Sequence, residues 1–475
     1  MTQIKTMFNN FSWVLISQIL VSILGFIWTI LIARYLGVSK NGIIGFATSL
    51  VGIFGLTLDL GVTSYTVRQI ATDNDSAQKY LGNVFPLKCI LSIGSFVLLL
   101  IVLILMKCDE LTITITLLFM INSIFQTIIT TLNGSFQAFK KMKYQGIGNI
   151  LLNVLLFLFI LLSVYTDLGI YGITESYVLA NFMGLVYEYY AFNKHIIKPK
   201  FEFDKTFCKT LIKSSLPFAL ISILFTIYYS IDIVMLNKLV GSYETGLYTA
   251  ACKIISVVTT FYGIYSAVIF PVMSKLYKND ANSLVLTYEK SIKYLMLIII
   301  PIAISTMFYS GDIIKFIYGA EYYSASSILI ILIWTACLLF ANGAGNTLLN
   351  ASHHEVTVTK IYFTAAVFNI ITNFILIPYL SYIGAAITTV LSDILIFIVQ
   401  KYTIHKLGYK PNKKLYIDLG KIILSSLLLG IVLYYLNLNM WIAIPVGILI
   451  YFVLLFILRT FDNDKYIFKE LLGRN

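Results

Sequence analysis

Fourteen long apolar runs, near 10–33, 41–62, 80–106, 111–135, 146–166, 170–192, 213–238, 246–274, 289–310, 325–350, 357–377, 383–401, 416–436 and 440–460, leave little of this chain for anything else. Most reach the roughly 20 residues that an α-helix needs to cross a bilayer. The runs are uniformly apolar, without the alternation over about 10 residues that a lipid-facing β-barrel strand shows. Composition agrees: 59% of the 475 residues are hydrophobic and 12% charged, where a soluble domain carries about 25% charged residues. The expected fold is an all-α integral membrane protein of about fourteen transmembrane helices. The first run, Phe11 to Ala33, is too long for a cleavable signal core and no small-residue cleavage site follows it, so it reads as a retained helix.

The basic residues orient the helices. With the N-terminus placed in the cytoplasm, the inside segments hold Lys5; Arg68 and Lys79; Lys140, Lys141 and Lys143; six from Lys194 to Lys213; Lys275, Lys278, Lys290 and Lys293; Lys360; six from Lys401 to Lys421; and Arg459, Lys465, Lys469 and Arg474. The outside segments hold Arg34, Lys40, Lys107, Lys238 and Lys315, while Lys88 and Lys253 lie within spans. Such a bias obeys the positive-inside rule and would be scrambled by dropping or adding one span. An even span count with both termini cytoplasmic is therefore expected, in the cell membrane of the host. The net charge of +12 is then a property of cytoplasmic loops, not a nucleic-acid footprint.

The chain repeats itself. Arg34-Tyr35-Leu36-Gly37 and Gly42 are matched, at a constant offset of 204 residues, by Lys238-Leu239-Val240-Gly241 and Gly246. A fainter echo sets Asn149 and Asn153 against Asn369 and Asn373. Six spans separate the copies. An even number makes them parallel repeats related by an axis along the membrane normal, an architecture in which transporters bind substrate near the repeat interface. The expected division is a six-helix lobe over 1–195, a cytoplasmic linker over 196–212 containing Pro199, a second six-helix lobe over 213–406, and two further helices with a tail over 407–475.

Chemistry for catalysis is scarce. No G-x-x-x-x-G-K-[ST] phosphate loop is present, and the adjacent His353 and His354 lack the i, i+4 spacing of helical metal ligands. Cys89, Cys108, Cys208, Cys252 and Cys337 fall mostly inside apolar runs without CxxC spacing, which argues against a disulfide framework or zinc. The longest outer loop, about Gly311 to Ser324, is short for a membrane glycosyltransferase or polymerase. No enzyme and no cofactor are expected, and the coupling ion, sodium or proton, stays open.

Charges inside spans are costly and mark functional candidates: Asp59, Lys88, Glu175, Glu188, Asp232, Lys253 and Asp393. Asp232 precedes Lys238 by six residues and Lys253 follows Gly246 by seven, so each sits roughly 10 Å below the outer surface. The pair reads either as a charged couple facing substrate or as an ion pair joining two helices. Asp59 and Lys88 are matched in depth near the inner side of spans two and three and read the same two ways. Glu175 and Glu188 read as reaching the headgroups. Asp393 has no evident partner in the sequence. Arg34 and Arg68, at span ends, are snorkelling anchors or bidentate phosphate ligands. Tyr228, Tyr229, Tyr262 and Tyr265 fit packing and interfacial belts, with stacking on sugar rings as the alternative.

Several runs carry a family resemblance. Ala33-Arg34-Tyr35-Leu36-Gly37, Gly42-Ile43-Ile44-Gly45-Phe46-Ala47, Asp59-Leu60-Gly61 and Arg68-Gln69-Ile70-Ala71 resemble the polysaccharide transporter (Wzx-type flippase) family, within the multidrug/oligosaccharidyl-lipid/polysaccharide exporter superfamily. In the second half, Ile231-Asp232-Ile233-Val234-Met235-Leu236, Gly246-Leu247-Tyr248-Thr249-Ala250-Ala251, Phe270-Pro271-Val272-Met273-Ser274, Gly319-Ala320-Glu321-Tyr322, Asn369 to Asn373 with Pro378, and Gly384-Ala385-Ala386 are similar to the same family. The resemblance covers most of the chain. It implies two six-helix lobes with spans one, two, seven and eight lining a cleft, and a polyprenyl-diphosphate-linked oligosaccharide moved to the outer leaflet by alternating access. It places Arg34, Asp232 and Lys253 on cleft-lining spans, Arg68 joining them as a phosphate candidate, with Asp59, Lys88 and Asp393 as intramembrane charges. Membrane lipids and other polysaccharide-assembly proteins are the expected partners, and nucleic acid is not. A cation-coupled multidrug antiporter is the runner-up, which would want acidic residues and few bases in its cleft; a membrane-embedded glycan polymerase or glycosyltransferase is the third reading.

Overall fold

A computed structural model describes residues 2–436 and 438–461, with the side chains of 2–12, 14, 15, 217, 218, 220 and 221 also outside the description. Of the charge count, Lys5, Lys465, Lys469 and Arg474 lie outside the described side chains. The described residues form helices throughout: α1 Thr2–Gly55, α2 Val62–Thr72, α3 Ala77–Leu105, α4 Glu110–Ala138, α5 Met142–Tyr165, α6 Gly169–His195, α7 Lys205–Leu239, α8 Ser242–Asn279, α9 Ala281–Tyr318, α10 Ala325–Ala351, α11 Glu355–Lys406, α12 Lys413–Leu436 and α13 Met440–Ile457. Within lipid, a helix satisfies its own backbone polar groups. Among the described residues, eleven helices are long and apolar enough to cross a membrane. Two of them, α1 and α11, each contain two helical segments that meet at a non-helical residue, Gly37 and Ser381 respectively. Those breaks fall where the sequence separates spans one from two and eleven from twelve.

The second expected span ends early. After Gly55 comes a 3-10 turn, Leu56–Leu58, and then the short helix α2. Helix α7 starts at Lys205, inside the stretch read as linker, because the Asp204 carboxylate accepts from the amides of Thr206 and Phe207 and caps it. Asp280 caps α9 in the same way through the amides of Asn282 and Ser283. These bonds, with one from the Ser283 hydroxyl, hold the Asp280 carboxyl below its ordinary range, the hydroxyl contributing most.

The chain divides into two compact units, 1–246 and 247–475. In the first, α5 packs on α1 and α6, α4 packs on α1 and α6, and α7 packs on α1 and α2. One apolar core joins Phe46, Leu58, Leu103, Ile115, Ile160 and Ile173. In the second, α10 packs on α9 and α11, and α12 packs on α9 and α13. Small residues allow close helix approach, as expected where lipid removes the hydrophobic drive for helix association. Ser163 and Ser176 hydroxyls lie 3.0 Å apart, and a Cβ at Gly343 would meet the Tyr262 ring at 2.2 Å. Buried hydroxyls are satisfied by their own helices: Thr116 Oγ1 donates to Thr112 O at 2.6 Å and Ser392 Oγ to Thr388 O at 2.8 Å. The outward faces carry exposed Ile93, Leu105, Phe374, Leu449 and Phe456, a surface suited to acyl chains.

Candidate functional site

The intramembrane charges fall into three settings. The first is a network in the first unit. Lys88, on α3, points between α2 and α4 and is closed from solvent. Its Nζ lies 2.6 Å from Asp59 Oδ1, and it donates to Thr63 Oγ1 at 2.7 Å, Thr127 O at 2.9 Å and Thr127 Oγ1 at 2.9 Å. Asp59 sits just before α2, where its carboxylate also accepts from the Thr63 amide at 3.2 Å and from the Thr63 hydroxyl. The depth match read from the sequence is thus a real pair, anchored by threonines that the sequence reading did not include. Side-chain exposure is 1% for Lys88 and 28% for Asp59, so only the carboxylate retains a view of solvent. A lysine with this many acceptors is built in firmly. Lys88→Met is expected to destabilise the protein by about 3 kcal/mol, the low end for removing one partner of a buried pair because Asp59 stays partly hydrated. A melting curve of the purified variant checks this.

The second setting is a pair the sequence reading missed. Lys293 was counted among the cytoplasmic loop charges, and Asp418 was not singled out. Both are buried: Lys293 on α9 lies 2.6 Å from Asp418 Oδ2 on α12, with exposures of 2% and 4%. Lys293 also donates to the carbonyl of Thr460, beyond α13, at 2.7 Å. One ammonium ties α12 and the segment that follows α13 to α9. The signal was present in the sequence, since both residues fall a few positions inside apolar runs, the same criterion that singled out Asp59 and Lys88.

The third setting holds the remaining candidates. Asp232 on α7 is buried, and Lys253 on α8 is exposed; they belong to different units. Arg34 and Arg68 are exposed. Next to Arg34, the Tyr35 hydroxyl donates to Asp167 Oδ1 at 2.7 Å and accepts from the Gly169 amide at 2.8 Å, which fixes α1, just before its break at Gly37, to the α5–α6 turn. Asp393 on α11 is buried, and its backbone carbonyl accepts from Asn342 Nδ2 at 3.1 Å. Glu175 is exposed, but Glu188 is not: it is 1% exposed and corrects the expectation that it reaches the headgroups. The cause is Gly148 on α5, whose missing side chain leaves the volume that the Glu188 carboxyl fills. Tyr229 is exposed, and the other three tyrosines behave as packing groups. Tyr228 is buried, the Tyr262 hydroxyl lies 3.1 Å from Thr347 Oγ1, and the Tyr265 hydroxyl donates to Ser291 Oγ at 2.5 Å.

The repeated glycines have a structural reason. A Cβ on Gly42 would lie 1.8 Å from the Ser242 carbonyl oxygen, and a Cβ on Gly246 would lie 2.0 Å from the Val38 carbonyl oxygen. Val38 and Ser242 are themselves 204 residues apart, like Gly42 and Gly246. The contact therefore pairs corresponding positions of the two copies of the sequence pattern with each other.

The chain is similar to known proteins in sequence and in fold. Residues 7–277 match the family described as polysaccharide biosynthesis protein, and residues 217–375 match the MatE family. An uncharacterized membrane protein of Methanocaldococcus jannaschii is 30% identical over 268 residues, 54% of this chain and 52% of that protein, so the match spans about half of the relative's length. The capsular polysaccharide biosynthesis protein CapF of Staphylococcus aureus is 24% identical over 83% of this chain and 98% of its own. The probable low-salt glycan biosynthesis flippase Agl15 of Haloferax volcanii is 23% identical over 85% and 84%. In fold, the lipid II flippase MurJ in an inward closed conformation superposes with a TM-score of 0.78 over 97% of this chain and 99% of its own, at 19% identity. An inward-facing multidrug resistance MATE transporter gives 0.66 over 82% and 96%, at 16% identity. The chain is a multi-pass membrane protein that belongs to the polysaccharide biosynthesis protein family.

Proposed function

We propose that this protein is a flippase that moves a polyprenyl-diphosphate-linked oligosaccharide from the cytoplasmic to the outer leaflet by alternating access, for assembly of a surface polysaccharide. The observation that carries the reading is the family match over 7–277, supported by relatives matched over most of their length that are named for capsular polysaccharide biosynthesis and for glycan flipping. The physical task is to move a sugar diphosphate through hydrocarbon, where an unpaired charged or polar group costs far too much to cross unaided. The protein performs no covalent chemistry on this reading. It works in the cell membrane with both termini in the cytoplasm, as the basic-residue bias supports. Two parallel six-helix repeats, 1–195 and 213–406, joined by 196–212 and followed by 407–475, remain the proposed division.

Within this reading Arg34, Arg68, Asp232 and Lys253 are the proposed substrate-binding residues, and Arg34, Arg68 and Lys253 are exposed in the structure. Asp59, Lys88 and Asp393 are the proposed ion-coupling or intramembrane charges. Lys253→Met is expected to lower glycan export severalfold with an unchanged membrane level, and normal export would remove Lys253 from the substrate path.

The MatE match favours one second reading, a cation-coupled multidrug antiporter. Deletion in the native host separates the two. A flippase deletion loses surface glycan and accumulates a cytoplasm-facing lipid-linked oligosaccharide. Unchanged glycan with drug hypersensitivity would instead establish the antiporter.

A further inference from the structure

The Glu188 carboxyl is buried against Gly148, near Asn133 on α4, and neither of its oxygens has a hydrogen-bond partner among the described residues. The Asn133 amide oxygen is likewise unpartnered, while Asn133 Nδ2 donates to Asn149 Oδ1 on α5 at 3.4 Å. The carboxyl therefore sits in the interior of the first unit with a neutral amide, Asn133, as its polar neighbour and no cation paired with it among the described residues. A bare carboxylate is not stable in such a place, because its charge has lost water and gained nothing. One proton on Glu188 resolves the conflict, since a carboxylic acid donates where a carboxylate only accepts.

The surroundings give that proton a route. Glu188 lies seven residues before the end of α6, Asn133 five before the end of α4, and Asn149 seven after the start of α5, so all three sit roughly 10 Å beneath one face of the unit. Each helix places a second polar residue closer to that face. Gln137 is one turn from Asn133, Gln145 is one turn from Asn149, and His195 is two turns from Glu188, all on shared helix faces. Gln137 Nε2 donates to Gln145 Oε1 at 3.2 Å. The Tyr144 and His195 rings stack at 4.3 Å, and Lys141 Nζ donates to the His195 carbonyl. In the opposite direction the column stops. One turn deeper, Leu152 fills the notch at Gly184, where a Cβ would meet its Cδ1 at 2.8 Å.

We propose that Glu188 is a proton-exchange site of the first unit, open along the Gln137–Gln145 and Tyr144–His195 column to one face, closed by Leu152 on the other, and loaded and unloaded as the protein transports. The coupling part rests on the flippase reading above, which also assigns that face to the cytoplasm. The titratable groups facing the site are Tyr187 on α6, Tyr144 on α5, and His195 and Lys141 at the mouth; Trp13 of α1 packs on Gly146 nearby. Proton movement is balanced: water gives the proton to one carboxylate oxygen and takes it back when the site opens.

The test uses the full-length protein in lipid nanodiscs, with infrared difference spectra recorded across an alkaline pH step. The wild type is expected to lose the carbonyl stretch of a protonated carboxyl and gain carboxylate bands, and Glu188→Gln to lose this signal entirely. Persistence of the band in Glu188→Gln, or a wild type without it, would overturn the site. Asn133→Leu, which removes the acceptor without removing the acid, is expected to shift the band towards that of a carboxyl without a hydrogen bond, and an unshifted band counts against the assigned geometry. His195→Phe is expected to keep the band but slow its deuterium exchange; unchanged exchange would overturn the route. In a deletion host, Glu188→Gln at a normal membrane level is expected to restore less surface glycan than the wild type, and full restoration would overturn the coupling. If the wild type itself restores none, the flippase reading fails while the spectral result still decides the proton site.

Discussion

Alanine at Gly42 or Gly246 is expected to cripple the protein, with a lower melting temperature and little surface glycan restored in a deletion host. The reason is geometric. The added methyl would sit 1.8 Å from the Ser242 carbonyl oxygen in the first case and 2.0 Å from the Val38 carbonyl oxygen in the second. Both obstacles are backbone atoms, so no side chain can rotate away, and the start of α8 must part from α1 by more than an ångström. Overpacking of an ordinary core costs about 1–3 kcal/mol, and a backbone clash inside two helices belongs at or beyond the top of that range. Gly94 is the control. A Cβ there meets nothing within 4 Å, so Gly94→Ala is expected to be neutral or slightly stabilising, as alanine in a helix interior gains up to about 1 kcal/mol over glycine. Equal effects at Gly42 and Gly94 would contradict the contact.

Lys293→Met should cost nearly as much, by a different mechanism. Asp418 would be left buried with no ammonium beside it, and the Thr460 carbonyl would lose its donor. Breaking a buried pair by removing one partner costs about 3–5 kcal/mol, whereas replacing both by apolar groups is often neutral. Asp418→Leu alone is expected to be equally harmful, and Lys293→Met with Asp418→Leu to recover most of the loss. Thermal unfolding of the three variants measures the coupling. A double variant as unstable as the two losses added together would show that the residues act independently.

The helices were legible in the sequence because lipid imposes one rule on every span, and hydropathy measures that rule directly. The breaks at Gly37 and Ser381 were legible as span boundaries, although the chain passes through each as a bend and not a loop. The first turns of α7 were not legible, because a helix outside the hydrocarbon shows no apolar run and is announced only by the Asp204 cap. The offset of 204 residues identified Gly42 and Gly246, but their purpose is a contact between distant segments that no local pattern states. Asp59 and Lys88 could be paired by depth since they lie on successive spans. Lys293 and Asp418 are 125 residues apart, and each lies close enough to a span end to pass for a loop charge or to be overlooked. Glu188 was misread for a related reason: whether a long acidic side chain turns outward or inward depends on the space opposite, and that space is made by Gly148 on another helix.

The central claim, that this chain flips a lipid-linked glycan, is tested most directly in proteoliposomes. Purified protein is reconstituted with the polyprenyl-diphosphate-linked oligosaccharide extracted from the deletion strain, and a membrane-impermeant reagent that modifies the sugar is added outside. Without protein, only the outward-facing fraction should be modified. With protein, modification is expected to proceed towards completion, more slowly with Lys253→Met. A modified fraction that stays at the protein-free level, in vesicles shown to contain folded protein, would contradict the account.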